Sequence, residues 1–189
     1  LDCGAGVLGR LLELTPLNGL TAVVISHLHY DHMSDLLPLR YALDFCDRPN
    51  LPVMLPQKPA AVRALLDGGR MDLFDIEDRA LGEFRLSFLP AFHPVEGYCL
   101  CAADDHSRLV YTGDTNIESA LELFCHRADL LLADAGLMER DWKARAPHLS
   151  ARKCGELASG ARVERLVLTH LSPRYDPEDL LAEAREGAV

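Results

Sequence analysis

Between Ser26 and His32 the chain reads Ser-His-Leu-His-Tyr-Asp-His, which sets three imidazoles and one carboxylate within six consecutive positions. The apolar run Leu20-Thr21-Ala22-Val23-Val24-Ile25 stands directly before it. A run rich in β-branched residues and closed by polar ones reads as a buried strand. The histidines then occupy the loop leaving its C-terminal end, where open α/β sheets place their ligands. Borderline imidazoles and a hard carboxylate suit zinc or a similar first-row divalent ion. His27 and His29, two apart, can turn to one ion, and Asp31 and His32, adjacent on a turn, to a second. A solvated polar loop is the plain alternative. Ligand-type residues crowded this densely behind a buried strand argue against it.

The chain has 189 residues, 49% hydrophobic and 25% charged, enough for a real core, and residues 1–189 are expected to form a single domain. No apolar stretch approaches bilayer length, and no secretory signal is visible. The cysteines Cys3, Cys46, Cys99, Cys101, Cys125 and Cys154 are scattered without a Cys-x-x-Cys pair, so reduced thiols in a cytoplasmic protein are expected. A net charge of −10 argues against a broad nucleic-acid surface, which needs clustered Lys and Arg. It leaves room for a small phosphate-bearing substrate, because bound metal ions dominate the field inside a site.

In chain order, Leu1-Asp2-Cys3-Gly4 reads as a strand end running into a glycine turn, with Asp2 orienting ligands from behind. A helix is expected over Val7–Leu14, and a second one capped by Ser34 and carrying Leu36, Leu37, Leu39, Tyr41, Leu43 and Phe45. A strand at Leu51–Leu55 and a helix from Pro59 to Leu66 follow. Phe84, Leu86 and Phe88 alternate with polar neighbours as a half-buried strand, after which His93 stands in the loop. Tyr98–Ala103 and Arg108–Thr112 pair as a hairpin, with an exposed His106 in its turn. Asp114 follows the second strand; alone it reads as a turn residue or the cap of a helix from Asn116 to His126. Leu130–Asp134 and Arg165–Thr169 are strands finishing on Asp134 and His170, and Ser150 caps a helix from Ala151. A helix from Pro177 closes the chain. The same placement recurs, a His or Asp at each strand's C-terminal end, and strand ends of one sheet region converge.

With these residues in view, the chain resembles the metallo-β-lactamase-fold hydrolases, and within them the ribonuclease Z-like branch. The segments that carry the resemblance are Leu1-Asp2-Cys3-Gly4, the His-x-His-x-Asp-His loop, His93 to Tyr98, Gly113-Asp114-Thr115, His148-Leu149-Ser150 and His170 to Tyr175. The resemblance implies an α/β fold, an αββα sandwich with two divalent metals at one edge, zinc before manganese or iron. His27, His29 and His93 would hold the first metal, and Asp31, His32 and His170 the second. Asp114 would bridge them, and a hydroxide held between the metals would be the nucleophile, oriented by Asp31. Asp134 stands where the family commonly has a glutamate.

His148 matches a family histidine that protonates the leaving oxygen; a helix-start histidine bonding backbone is the alternative. Arg174 matches an arginine that meets substrate phosphate, against a surface ion pair with Asp176 or Glu178. The long arm that grips tRNA is replaced here by the tight hairpin. The family's opening strands and final strand are missing, so a chain truncated at both ends is expected. The function implied is a dinuclear metal-dependent phosphodiesterase acting on a small substrate such as a cyclic nucleotide, with homodimers possible and no membrane partner. A tRNA 3′-processing endonuclease, a thioester or lactone hydrolase and a non-catalytic metal-binding module are the rivals.

Overall fold

The computed structural model describes residues 1–189, which divide into two compact units, Leu1–Ile76 and Glu77–Val189. In the first unit the elements run α1 (Val7–Leu14), β1 (Val23–Val24), α2 (Tyr30–Met33), α3 (Leu36–Leu43), β2 (Leu51–Met54), α4 (Ala60–Leu65) and β3 (Met71–Phe74). The three strands form a parallel sheet in the order β1-β2-β3. Its core gathers Ile25, Leu36, Leu39, Leu43, Leu51, Val53, Leu55 and Leu66, all fully buried. Parallel strands covered by helices are expected to be apolar throughout, and Leu51–Met54 is.

The second unit holds β4 (Arg79–Leu81), β5 (Phe84–Pro90), β6 (Tyr98–Ala103), β7 (Arg108–Tyr111), α5 (Leu121–Cys125), β8 (Leu130–Asp134), α6 (Ala151–Gly160), β9 (Leu166–Thr169) and α7 (Pro177–Gly187). Its six strands run in sequence order, antiparallel from β4 to β7 and parallel from β7 to β9. Strands β5, β7, β8 and β9 therefore share one direction, and the loops after them leave from one edge. A separate core of Val110, Leu121, Leu131, Ala133, Leu149, Cys154 and Leu180 lies against this sheet. No helix is long and apolar enough to cross a membrane.

The α/β class with two sheets agrees with expectation, and several boundaries differ from it. The strand expected over Leu20–Ile25 is reduced to Val23–Val24, extended by Ile25 N donating to Met54 O at 2.8 Å. Asp35, not Ser34, stands at the N-cap of α3, and its carboxylate accepts from Leu8 N of α1 at 2.9 Å. That helix stops at Leu43, leaving Phe45 75% exposed. The helix expected from Asn116 forms only at Leu121–Cys125, because the Asn116 side chain is engaged elsewhere. Strands β3 and β4 had no counterpart in the sequence reading. The expectations met most closely are α1, the β6–β7 hairpin and the Ser150 cap, whose Oγ accepts from Lys153 N at 3.1 Å.

Helices α6 and α7 pack through two glycines. A Cβ on Gly155 would lie 2.0 Å from Ala184 O, and one on Gly187 2.2 Å from Arg152 O. Alanine normally stabilises a helix interior relative to glycine by up to about 1 kcal/mol. Here the added methyl meets backbone and forces the helices apart. Gly155→Ala is expected to cost about 3 kcal/mol, a melting temperature lower by roughly 6–12 °C in thermal denaturation. An unchanged melting temperature would contradict this packing.

All six cysteines are free thiols. Cys3, Cys99, Cys101, Cys125 and Cys154 are at most 3% exposed, whereas Cys46 is partly exposed. Burial pushes the Cys125 thiol up to about 12 and, with Asp35 nearby, Cys3 up to about 11. A raised pKa leaves each protonated and unreactive at pH 8. Iodoacetamide at that pH is expected to modify Cys46 alone in the native chain and all six cysteines after unfolding. Rapid native labelling of two or more thiols would contradict the buried placement.

Candidate metal centre

In the first unit the loop after β1 is held by the residues that precede α1. Asp2 Oδ1 accepts from Ser26 N at 2.7 Å, and Asp2 Oδ2 accepts from Ser26 Oγ at 2.8 Å. The same Oδ2 lies 2.7 Å from His32 Nδ1, so the imidazole is fixed with its Nε2 edge turned away from Asp2. A carboxylate behind a histidine in this way fixes the ring's tautomer and raises its basicity as a metal ligand. Cys3 N donates to His32 O at 2.7 Å, and Asp35 N to Cys3 O at 2.9 Å, which closes the segment onto α2 and α3. Asp2 adopts φ 49°, in the left-handed region that costs a non-glycine residue about 1 kcal/mol or more and that gathers at functional sites.

His27 and His29 lie in the loop after β1, and Asp31 and His32 in α2. His27 Nε2 and His29 Nδ1 stand 2.9 Å apart, within hydrogen-bond distance. His32 Nε2 lies 3.5 Å from Asp31 Oδ2. His27 and His32 are buried, while His29 and Asp31 are exposed. Ring centroids of His27 and His32 are 4.1 Å apart. Asp2 thus lies against both Ser26 and His32.

In the second unit, Asp114, Asp134, His148 and His170 converge, their ligand-type atoms all within 4.8 Å of one another. Asp114 follows β7, Asp134 ends β8 and His170 follows β9, so three parallel strands deliver three of the four groups to one edge. His170 Nε2 lies 3.2 Å from Asp114 Oδ2, and its Nδ1 3.5 Å from Asp134 Oδ1. The ring is aimed by a backbone with φ 55°, again in the left-handed region. His148 Nδ1 lies 2.9 Å from Asp134 Oδ2 and 3.9 Å from Asp114 Oδ2, and its ring stacks on His170 with centroids 4.8 Å apart. The partner of His148 is thus a buried carboxylate and not backbone, which leaves Nε2 as its outward nitrogen.

Burial alone would raise the Asp134 carboxyl, but hydrogen bonds and charge from His148 and His170 outweigh it and hold the group below the usual carboxylate range. For His148, burial works against protonation, yet the bond to Asp134 and the charges of Asp134 and Asp114 hold the imidazole above its ordinary value. Two carboxylates, 4% and 0% exposed, side by side with two imidazoles form a cluster that calls for positive charge. Its nitrogen and oxygen donors suit a first-row divalent cation.

His93 is half-buried in the loop after β5, its ring centroid 6.0 Å from that of His148. Two hydrogen bonds tie that loop to the one bearing Asp114. Phe92 N donates to Thr115 Oγ1 at 2.9 Å, and Asn116 N to Phe92 O at 3.2 Å. Arg174 is exposed; its guanidinium lies 5.8 Å from the centre of the Tyr175 ring, while Asp176 caps α7 through Glu178 N. His106 is exposed in the hairpin turn, where Asp104 Oδ1 accepts from the backbone of His106 and Ser107.

The sequence reading missed the residues that hold this cluster together. Thr112 Oγ1 accepts from Asp134 N at 2.9 Å, and Thr115 N donates to Asp134 Oδ2 at 3.1 Å. The buried Asn116 donates through Nδ2 to Lys143 O and Ala146 O and accepts at Oδ1 from Trp142 Nε1 and Ile117 N. The only sequence signal was the polar run Thr112-Gly113-Asp114-Thr115-Asn116 after an apolar strand. Gly136 donates its N–H to Asp134 Oδ1, and a Cβ there would lie 3.1 Å from both Asp134 Oδ1 and His148 Cγ. Gly136→Ala is expected to displace His148 and lower kcat about tenfold with little change in melting temperature. Wild-type kcat in this variant would show that the approach is not needed.

A family model described as the beta-lactamase superfamily domain matches residues 1–171. A probable metallo-hydrolase, YhfI of Bacillus subtilis, is 29% identical over 190 residues, spanning 96% of this chain and 78% of its own. The crystal structure of that metallo-beta-lactamase fold protein superposes with a TM-score of 0.90 over 98% of this chain and 79% of that one. Ribonuclease Z of Thermococcus sibiricus is 39% identical over 79 residues, 42% of this chain and 26% of its own. The short form of human tRNase Z shares the fold, with a TM-score of 0.70 at 21% identity over 92% of this chain and 81% of that one. The chain therefore belongs to the beta-lactamase superfamily and has the metallo-β-lactamase fold.

Proposed function

We propose that residues 1–189 form one metal-dependent hydrolase domain that cleaves phosphodiester bonds of a small substrate such as a cyclic nucleotide. The observation that carries the reading is the cluster of buried Asp114 and Asp134 with half-buried His148 and His170, three of the four delivered by the parallel strands β7, β8 and β9. In this proposal His27, His29 and His93 would hold one divalent ion, Asp31, His32 and His170 would hold a second, and Asp114 would serve as a ligand to both. When bound, such a pair of ions activates water at neutral pH and neutralises charge on the attacking and leaving oxygens. Zinc fits the donor set best, with manganese and iron accepting the same ligands.

Each residue of the chain then has a task. Asp2 and Ser26 hold the His32 ring in one orientation. Asp31 accepts a hydrogen bond from the attacking water and aligns it. Asp134 holds His148 through Nδ1, so its Nε2 can deliver a proton to the leaving oxygen, a contribution of about 10²–10⁴ in rate. Arg174 meets the substrate phosphate with a planar fork.

The family supports hydrolysis; the phosphodiester substrate rests on His148 and Arg174. A tRNA 3′-processing activity draws support from the 39% local identity to a ribonuclease Z. Against it stand the net charge of −10 and the hairpin, whose turn is Asp104 to Ser107, where an RNA-gripping arm would insert. The test compares kcat/KM for a 3′,5′-cyclic nucleotide, a precursor tRNA and an acyl thioester on the metal-loaded chain. The proposal predicts that the cyclic nucleotide is preferred. Preferred cleavage of tRNA or of thioester would replace it with the corresponding rival.

A further inference from the structure

The segment between Asp134 and His148 carries charges that the proposed chemistry does not use. It includes Glu139, Arg140, Asp141, Lys143 and Arg145. Both acids are engaged internally: Glu139 accepts from Ser150 Oγ, and Asp141 Oδ2 accepts from Tyr175 Oη at 2.8 Å. The three cations are exposed. In a chain of net charge −10, this segment sets three exposed cations beside two half-buried acids that already have partners.

The segment is built in place and does not dangle. Its start pairs with the segment bearing His148, where Leu137 N donates to Leu149 O at 3.2 Å and Ala151 N to Leu137 O at 2.9 Å. Its far half is held by Asn116, two residues from Asp114, through Lys143 O, Ala146 O and Trp142 Nε1. Arg140 and Arg174 come from segments 34 positions apart, yet their guanidinium carbons lie 5.9 and 5.8 Å from the centre of one ring, that of Tyr175. Arg140 Nε is 3.7 Å from Asp141 Oδ2, and the Arg140 side chain is 68% exposed. Tyr175 is buried, a fixed platform for both cations.

We infer that Arg140, which shares the Tyr175 ring with Arg174, is a specificity-determining residue that no sequence motif reveals and that it extends the phosphate contact proposed for Arg174 into a two-arginine rim. This inference rests on the proposed phosphodiester reading. Two guanidinium forks on one platform match phosphate oxygens with paired donors, which a single exposed arginine does not. The rim binds and does not transfer protons, so its loss acts on KM and leaves kcat nearly as it was.

The experiment uses the metal-loaded chain and two readouts. Binding of inorganic phosphate is followed through Trp142, the only tryptophan, which lies two residues from Arg140. KM and kcat are measured with bis(p-nitrophenyl) phosphate. Arg140→Ala and Arg174→Ala are each expected to weaken phosphate binding and raise KM about tenfold. Arg140→Lys should recover part of the loss, because charge returns without the fork. Arg85→Ala, which removes an exposed cation paired with Asp105 in the hairpin, should change neither readout. Unchanged phosphate binding in the Arg140→Ala/Arg174→Ala double variant would overturn the rim. Weaker phosphate binding in the variants of a chain that hydrolyses no phosphodiester would sustain the rim and sink the phosphodiester reading.

Discussion

Asp114→Ala is expected to abolish metal loading and lower hydrolysis by at least about 10³-fold, several kcal/mol of lost transition-state stabilisation. Asp114 is 4% exposed and lies 3.2 Å from His170 Nε2 and 3.9 Å from His148 Nδ1, so its removal touches every other member of the cluster. The metal-free chain should respond in the opposite sense. Asp114 and Asp134 hold ligand-type oxygens within 4.8 Å of each other, and their like charges repel when no cation lies between them. The isosteric Asp114→Asn is therefore expected to leave the metal-free melting temperature unchanged or higher. The rise on adding zinc should disappear; for a site saturated a hundredfold above its dissociation constant that rise reflects about 2.7 kcal/mol. His106→Ala, in the exposed hairpin turn, should change none of these quantities. Normal turnover in the Asp114 variant would sink the bridging role.

Gly4→Ala is expected to have the largest effect of any substitution outside the ligand-type residues. A Cβ at Gly4 would lie 1.7 Å from Asp31 O and 2.6 Å from Asp31 C, both backbone atoms that no rotamer change can clear. Helix α2, which carries Asp31 and His32, would have to move away from the Leu1–Gly4 segment. With it would go the Cys3 N to His32 O bond and the Asp2 contact that orients His32. Loss of about 3 kcal/mol and of metal affinity together is expected, read as a melting temperature lower by roughly 6–12 °C and weaker zinc uptake. Gly9→Ala in α1 is the matched control, because its Cβ meets nothing within 4 Å and should stabilise slightly. Wild-type zinc uptake by the Gly4 variant would contradict the close approach.

What was legible in the sequence was local. The Val7–Leu14 helix, the β6–β7 hairpin and the Ser150 cap each rest on neighbouring residues and were read with correct limits or nearly so. Asp114, Asp134 and His170 drew attention in the sequence because each stands where an apolar strand gives way to polarity. The supporting residues were not. Asn116 serves a segment 26 to 30 positions away, and nothing near it in sequence reports that, so it read as the first turn of a helix. Leu37, Tyr41 and Phe45 share helical spacing with the core residues of α3, yet they are exposed at 45%, 68% and 75%. Periodicity registers an apolar face without saying what covers it. Strands β3 and β4 are four and three residues long, and β3 carries only one buried side chain, Met71. Pairing, not composition, defines them.

The most direct measurement is the metal content of the chain, taken after zinc reconstitution and desalting, alongside hydrolysis of bis(p-nitrophenyl) phosphate. The account predicts about two zinc ions per chain, with turnover that a chelator removes and zinc restores. No retained metal would contradict it at its root.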